Sequence, residues 1–314
     1  MSTYRILSLD GGGLRGLITA GLLERLAADE RIGGWIKKTD LVAGTSTGGI
    51  LALGLAHDLA PSEICELYRT KGHLIFADSV IDNIRDLGKF VGADYSSEGL
   101  RRELKRIFGR TTLAGLRMKV AIPTFDLDNG ARISARTWKP KIFHNFAGDD
   151  SDGSESAAAV ALYTSAAPTY FPSAGGYVDG GVFANNPAIV ALAQAISQRN
   201  LPSERAAIDR VALLSVGTGV SLRFIEGEEL DWGLIQWAKP IIEILMEGVA
   251  GIADYQAMQL LGERYHRVQP VLPHKEKIPL DAVDKIGRMD TIAAEFDLRT
   301  TVDWISRHWL ESAQ

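Results

Sequence analysis

The first fifty residues repeat one pattern, in which a short apolar run ends in a glycine cluster that opens into a stretch with helical spacing. Residues 4–9 (YRILSL) read as a buried strand, Asp10-Gly11-Gly12-Gly13 as a turn, and residues 17–28 as a helix. Residues 40–43 then run into Gly44-Thr45-Ser46-Thr47-Gly48-Gly49, and residues 50–57 form a second helix. Strand, turn and helix, twice over, imply parallel strands joined by right-handed crossovers. The connecting loops then gather at the carboxyl edge of one sheet, where open α/β sheets hold their ligands.

Residues 61–115 read as mainly helical. Strands resume at 118–125, 132–137, 177–178 and 210–216, the last ending in Gly217-Thr218-Gly219. Beyond residue 220 the pattern is mostly helical, with one strand expected at 265–268. No repeat or linker divides the chain, so residues 1–314 read as one domain, with 221–314 a mainly helical C-terminal part to which no role is assigned. Within it Ile241, Ile242, Ile244, Leu245, Val249, Ile252 and Ala253 form a helical apolar stripe, preceded by Trp232 and Trp237. Burial in the core is the expected fate of such a stripe, and a lid or interfacial helix is the alternative.

Composition narrows the class. With 46% hydrophobic and 23% charged residues the chain is globular rather than disordered, collagen-like or coiled coil. A formal charge of -5 leaves no basic footprint for nucleic acid and no simple electrostatic attachment to anionic lipid. Cys65, the single cysteine, cannot form an internal disulfide. The first apolar run is too short for a signal peptide. Residues 234–253 are interrupted by Lys239, Pro240, Glu243 and Glu247, whereas a membrane helix needs about 20 mostly apolar residues. A soluble cytoplasmic protein is the resulting expectation.

Two glycine loops carry candidate chemistry. Gly11-x-Gly13-x-x-Gly16 matches the dinucleotide fingerprint, but the acidic residue expected at the end of the next strand is missing, since Asp40 begins that strand and Gly44 ends it. Neither loop has the lysine of a Walker motif. Adjacent glycines at a helix start can instead expose backbone N–H groups to a negative oxygen formed during reaction. Arg15 would add charge or hold the loop. Gly44-Thr45-Ser46-Thr47-Gly48 is a G-x-S-x-G elbow between strand and helix, whose small flanking residues let the serine hydroxyl stand clear of the sheet. A capped helix start is its plainer reading.

A serine nucleophile needs a base. The six histidines, His57, His73, His144, His266, His274 and His308, each read more simply as surface or packed residues. Asp179 differs, because Tyr177-Val178-Asp179-Gly180-Gly181 sets a carboxylate at a strand end against two glycines, although an ordinary turn aspartate has the same signature. The acidic stretch 149–155 fails as an EF-hand: Gly153 at the sixth position puts Gly148 first and Ala159 twelfth.

Taken together, these pieces resemble the patatin-like phospholipases, the family that includes plant storage lipases and calcium-independent phospholipase A2 enzymes. Gly11-Gly12-Gly13-Leu14-Arg15-Gly16 is similar to the family's oxyanion loop, Gly44-Thr45-Ser46-Thr47-Gly48 to its nucleophile elbow, and Asp179-Gly180-Gly181 to its catalytic Asp-Gly motif. Residues 165–172, Ala184-Asn185-Asn186-Pro187 and Ser215-Val216-Gly217-Thr218-Gly219 also resemble stretches of it, so the likeness covers roughly residues 4 to 220.

The resemblance implies a three-layer α/β/α fold with a mainly parallel central sheet. It implies a Ser46–Asp179 dyad that works without histidine, metal or cofactor on a phospholipid or other acyl lipid. Gly11, Gly12 and Gly13 would form the oxyanion hole, supported by Arg15, Gly44, Gly48 and Gly180. Transient contact with a membrane surface is compatible with this reading, and a homodimer stays open. Bacterial relatives include effectors switched on by cyclic nucleotides, but no residue here identifies such a site. Two alternatives remain: an α/β-hydrolase in which Ser46, Asp179 and His266 stand in triad order, and a non-catalytic nucleotide- or lipid-binding module.

Overall fold

The computed structural model describes residues 2–76, 95–222, 224–227, 229–273 and 278–311. β1 (Tyr4–Leu9) leads through a 3-10 turn, Gly13–Arg15, into α1 (Gly16–Ala28), and β2 (Leu41–Gly44) leads into α2 (Thr47–Ala56), as the repeating pattern predicts. Then come α3 (Pro61–Phe76), α4 (Glu98–Phe108), β3 (Lys119–Asp126), β4 (Lys139–His144), α5 (Ala157–Thr164) and β5 (Tyr177–Asp179). They are followed by α6 (Gly181–Ala184), α7 (Ala188–Ala195), β6 (Val211–Val216), β7 (Val220–Ser221), α8 (Leu234–Leu261), β8 (Tyr265–Val268) and β9 (Val271–Leu272). α9 (Ile286–Glu295) and α10 (Arg299–Ile305) follow, and a π-helical turn, Ser306–Leu310, continues from α10.

β1 lies inside the sheet, parallel to β2 on one side and to β6 on the other. β2 pairs in parallel with β3 and β6 with β8, while β4 and β5 run antiparallel to β3. The order is β4-β3-β2-β1-β6-β8, so the sheet is mixed but mainly parallel. Its strands are apolar on both faces because helices cover both. Leu7, Leu9, Val42 and Leu214 point into one core, and Ile6, Leu41 and Leu213 point into the other with residues of α7 and the end of α8.

Register decides where the loops meet. Leu9 is level with Gly44 on one side and with Val216 on the other, so the chains leaving β1, β2 and β6 step off the sheet side by side. β2 stops at Ala121 on the edge of β3, and β5 takes up that edge farther along, Asp179 opposite Thr124. Because β5 is antiparallel to β3, it runs toward the end of β2 and Asp179 is its nearest residue to the elbow. The segment beyond residue 220 builds onto this framework: β8 extends the sheet, and α9 packs so closely on α1 that a Cβ at Gly21 would come within 2.8 Å of Ala293.

Two expectations fail. Residues 132–137 are not a strand but a loop with a 3-10 turn, Ile133–Ala135, and Ile133 is 92% exposed. Side-chain acceptors have taken the backbone donors a ladder would need: Asp128 accepts from Gly130 N–H, and Asn129 from the N–H groups of Ala131 and Thr137. The stripe on α8 is not core either. Ala253, Ala257 and Leu261 are buried, but Ile241, Ile244, Leu245 and Ile252 face outward.

Candidate active site

Ser46 stands between the end of β2 and the first residue of α2 with φ 57° and ψ -125°, a conformation L residues rarely adopt and that must be imposed by the surroundings. Thr45 N–H donates to Leu9 O, and Gly49 and Ile50 N–H both donate to Ser46 O. The flanking glycines are steric necessities. A Cβ at Gly44 would lie 2.0 Å from Gly48 O, and one at Gly48 would lie 2.2 Å from Leu9 O. Ser46 is only 8% exposed, more sheltered than a hydroxyl standing clear of the sheet implies.

The Asp179 side chain accepts from Gly181 N–H at 2.7 Å, and the Ser46 side chain lies close enough to favour its ionised form. Asp179 is 4% exposed, and burial pushes its pKa from 3.8 up to about 6, against the opposing pull of Ser46 and the Gly181 N–H. At pH 7 it is therefore mostly ionised and a stronger proton acceptor than an ordinary aspartate. Gly180 is required by closeness, since its Cβ would meet Pro123 O at 2.3 Å.

The glycine loop of residues 11–13 passes beside the nucleophile. A Cβ on Gly11 would lie 3.3 Å from Ser46 Cβ, and one on Gly12 would lie 2.2 Å from Thr218 Oγ1. Gly12 and Gly13 N–H have no protein acceptor among the described residues. Gly11 departs from the expected role, because its N–H donates to Asn185 O at 3.0 Å and is spent there. It supplies clearance next to Ser46 rather than a donor. Arg15 is half-buried, and its N–H donates to Gly12 O, which closes the turn.

The side chain of His73 lies outside the description, and the four histidines whose side chains are described have partners of their own. His266 Nε2 meets Thr301 Oγ1 at 3.0 Å and its ring stacks on Trp304, which also stacks on His308. Burial lowers the pKa of both. His57 packs on Phe108 and His144 on Phe146. His274 lies outside the described residues. Pairing of His266 with Leu214 on the outermost strand beyond β6 sets it apart from the elbow, so the triad geometry is not formed by this residue.

Several residues that secure the site were not singled out by sequence. Thr164, fully buried at the end of α5, accepts from Ser46 N–H at 3.0 Å and donates to Pro123 O at 2.6 Å. It thereby ties the elbow to the strand that carries Asp179's partner residue Thr124. Tyr68 of α3 hydrogen-bonds Thr47. Arg267 of β8 makes a two-pronged ion pair with Asp10 and donates to Ser215 Oγ. Burial raises the Asp10 pKa while Arg267 pulls it back, and Asp10 more than offsets the cost of burying Arg267, whose pKa is raised. The three further motif stretches also acquire structural roles. Ala166 O accepts from Asp179 N–H, Asn185 O from Gly11 N–H, and Thr218 Oγ1 donates to Gly11 O. The Asn185 Oδ1 atom, beside Gly11 and Gly181, is buried without a hydrogen-bond partner among the described residues.

The family model described as patatin-like phospholipase matches residues 7–192, which contain the elbow, the glycine loop and Asp179. A cGAMP-activated phospholipase of Pseudomonas aeruginosa is 30% identical over 290 residues, covering 91% of this chain and 84% of the relative. This chain belongs to the patatin-like phospholipase family. Patatin-like protein 1 of Arabidopsis thaliana is 29% identical over 360 residues, spanning 100% of this chain and 80% of the relative. Among solved structures, the ExoU–SpcU complex of Pseudomonas aeruginosa is similar at 15% identity and a TM-score of 0.45, covering 99% of this chain and 53% of that one. Membership of the patatin-like family supports lipid hydrolysis as the activity. No described helix is long and apolar enough to cross a membrane.

Proposed function

We propose that this chain is a serine acyl hydrolase that releases fatty acids from phospholipids or other acyl lipids through a Ser46–Asp179 dyad. The observation that carries the reading is a buried Asp179, its pKa raised to about 6, whose ionised form the neighbouring Ser46 side chain stabilises. Ser46 Oγ attacks the ester carbonyl as Asp179 takes its proton, and as the ester bond breaks Asp179 gives that proton to the leaving oxygen, so the lyso-lipid departs as an alcohol and an acyl-enzyme with an ionised Asp179 remains. Water then attacks the acyl-enzyme as Asp179 takes its proton, and Asp179 returns that proton to Ser46 Oγ as the fatty acid leaves.

A carboxylate with a pKa near 6 is still a weak base for an alcohol, so the developing oxyanion must carry much of the barrier. The N–H groups of Gly12 and Gly13, without an acceptor among the described residues, are the proposed donors, with the N-terminus of α2 adding its dipole. One such donor is worth about 3 kcal/mol. The scheme takes residues 1–314 as one hydrolase domain and uses no metal, so activity is expected to survive excess EGTA.

The test is a fluorophosphonate probe together with mass spectrometry of fatty acids released from lipid extracts. Ser46→Ala is expected to abolish both labelling and release, and His266→Gln to retain both. Fatty-acid release by a Ser46→Ala variant at the wild-type rate would overturn the dyad, and inactivity of a folded His266→Gln variant would favour the triad.

A further inference from the structure

α8 rests on the protein through a narrow inner face of Ala253, Ala257 and Leu261. Its outer face is apolar. Ile241 is 38% exposed, Ile244 45%, Leu245 55%, Ile252 51% and Tyr255 60%. At 100° per residue these five fall within a sector of about 100° that runs along about 21 Å of helix. The only other residues in that sector up to Tyr255 are Gly248 and small or polar neighbours at its margins. Glu243, Glu247 and Asp254 fall outside it, toward the inner side of the helix, where Asp254 accepts from Tyr265 OH at 2.6 Å. An uninterrupted apolar face turned to solvent is the reverse of what a packed amphipathic helix shows.

The other side of the same helix reaches the candidate site. Met246 Cε would lie 3.5 Å from a Cβ at Gly181, whose N–H holds Asp179. α6, which follows Asp179, adds Val182 at 44% exposure. The apolar face is thus separated from the dyad by about the 10 Å width of one helix. An acyl chain, which spans about half of a 30 Å hydrocarbon core, is long enough to bridge that gap. A second copy of the chain is the poorer occupant. A strip about 21 Å by 10 Å offers on the order of 200 Å², against about 800 Å² per partner in a stable dimer.

We propose that the outer face of α8 docks the enzyme on a zwitterionic lipid bilayer and sets the mouth of the Ser46–Asp179 site against it. The proposal rests on the lipid-hydrolase reading above and names the surface through which that substrate arrives. No charged residue interrupts the strip, so apolar burial rather than headgroup charge drives the contact.

The experiment measures partition of the full chain onto phosphatidylcholine vesicles by co-sedimentation, release of fatty acid from those vesicles, and hydrolysis of a dissolved short-chain ester. Leu245→Glu with Ile252→Glu is expected to lower partition and vesicle hydrolysis by about tenfold or more, while hydrolysis of the dissolved ester stays within about twofold. A second variant, Ile244→Gln with Leu245→Gln, adds no charge and is expected to lose partition in the same direction by less. Wild-type partition in both variants would overturn the docking face. So would a wild-type chain that sediments as a dimer without lipid and becomes monomeric in the variants. Failure of the wild-type chain to hydrolyse the dissolved ester would count against the dyad instead, and the partition measurement would still decide the surface.

Discussion

Asp179→Asn is expected to make the protein more stable as it makes it inactive. In the folded chain burial lifts the carboxyl from 3.8 to about 6, whereas the unfolded chain returns it to its ordinary value. Between those two values the folded state binds more protons than the unfolded one, so stability falls as pH rises from about 4 to 6 and stays lower above that. Roughly two pKa units at about 1.4 kcal/mol each put the cost near 3 kcal/mol at pH 7.5. Asparagine has the same shape, can still accept from Gly181 N–H, and carries no charge to bury. Urea unfolding of both proteins at pH 4, 5.5 and 7.5 is expected to give a difference near zero at the lowest pH and up to about 3 kcal/mol in favour of the variant at the highest. Turnover is expected to fall by about 100-fold or more. A variant no more stable than wild type at pH 7.5, or a difference that does not change with pH, would refute the account of Asp179 as a carboxylate held against its solvation. The acid limb of kcat/KM is a poorer witness, because an aspartate raised to about 6 and a histidine near 6.5 predict nearly the same limb.

Ser46→Gly is expected to gain about 1 kcal/mol of stability over Ser46→Ala in the same denaturation assay, because only glycine is at ease at φ 57° and ψ -125°, and equal stabilities would show the elbow to be unstrained. Thr164→Val keeps the shape but leaves Ser46 N–H and Pro123 O unpaired, so it is expected to lose about 1–3 kcal/mol and to lower kcat more than it changes KM; Thr164→Ser is expected to restore much of both. Arg267→Met strands the buried Asp10 carboxylate at the base of the glycine loop, and a loss of about 3–5 kcal/mol in unfolding free energy is expected, with a loss under 1 kcal/mol showing the pair to be dispensable.

Local patterns that are satisfied within a few residues were legible in the sequence. The two strand–turn–helix units are of this kind, because an apolar run, a glycine turn and a helical period each act within about a dozen residues. The elbow was legible for the same reason, since Gly44 and Gly48 are demanded by atoms four residues away and by the adjoining strand. Asp179 was recognisable only beside the other motifs, because an Asp-Gly turn has the same local signature wherever it occurs. The strand expected at 132–137 failed where Asp128 and Asn129 captured the backbone, a competition that apolar alternation does not register.

By itself, then, the sequence determined the two parallel units, the strained serine turn and the presence of a carboxylate at a strand end, all products of short-range sterics and periodicity. The tertiary structure decided which carboxylate meets the serine, because that depends on β5 taking up the edge of β3 where β2 stops, a pairing between residues more than fifty positions apart. It decided that Gly11 N–H is spent on Asn185 and that Arg267 anchors Asp10 across 257 residues. It also decided that the apolar stripe of α8 faces outward, since amphipathic spacing fixes that a helix has an apolar face and only the packing of Ala253, Ala257 and Leu261 fixes where that face points.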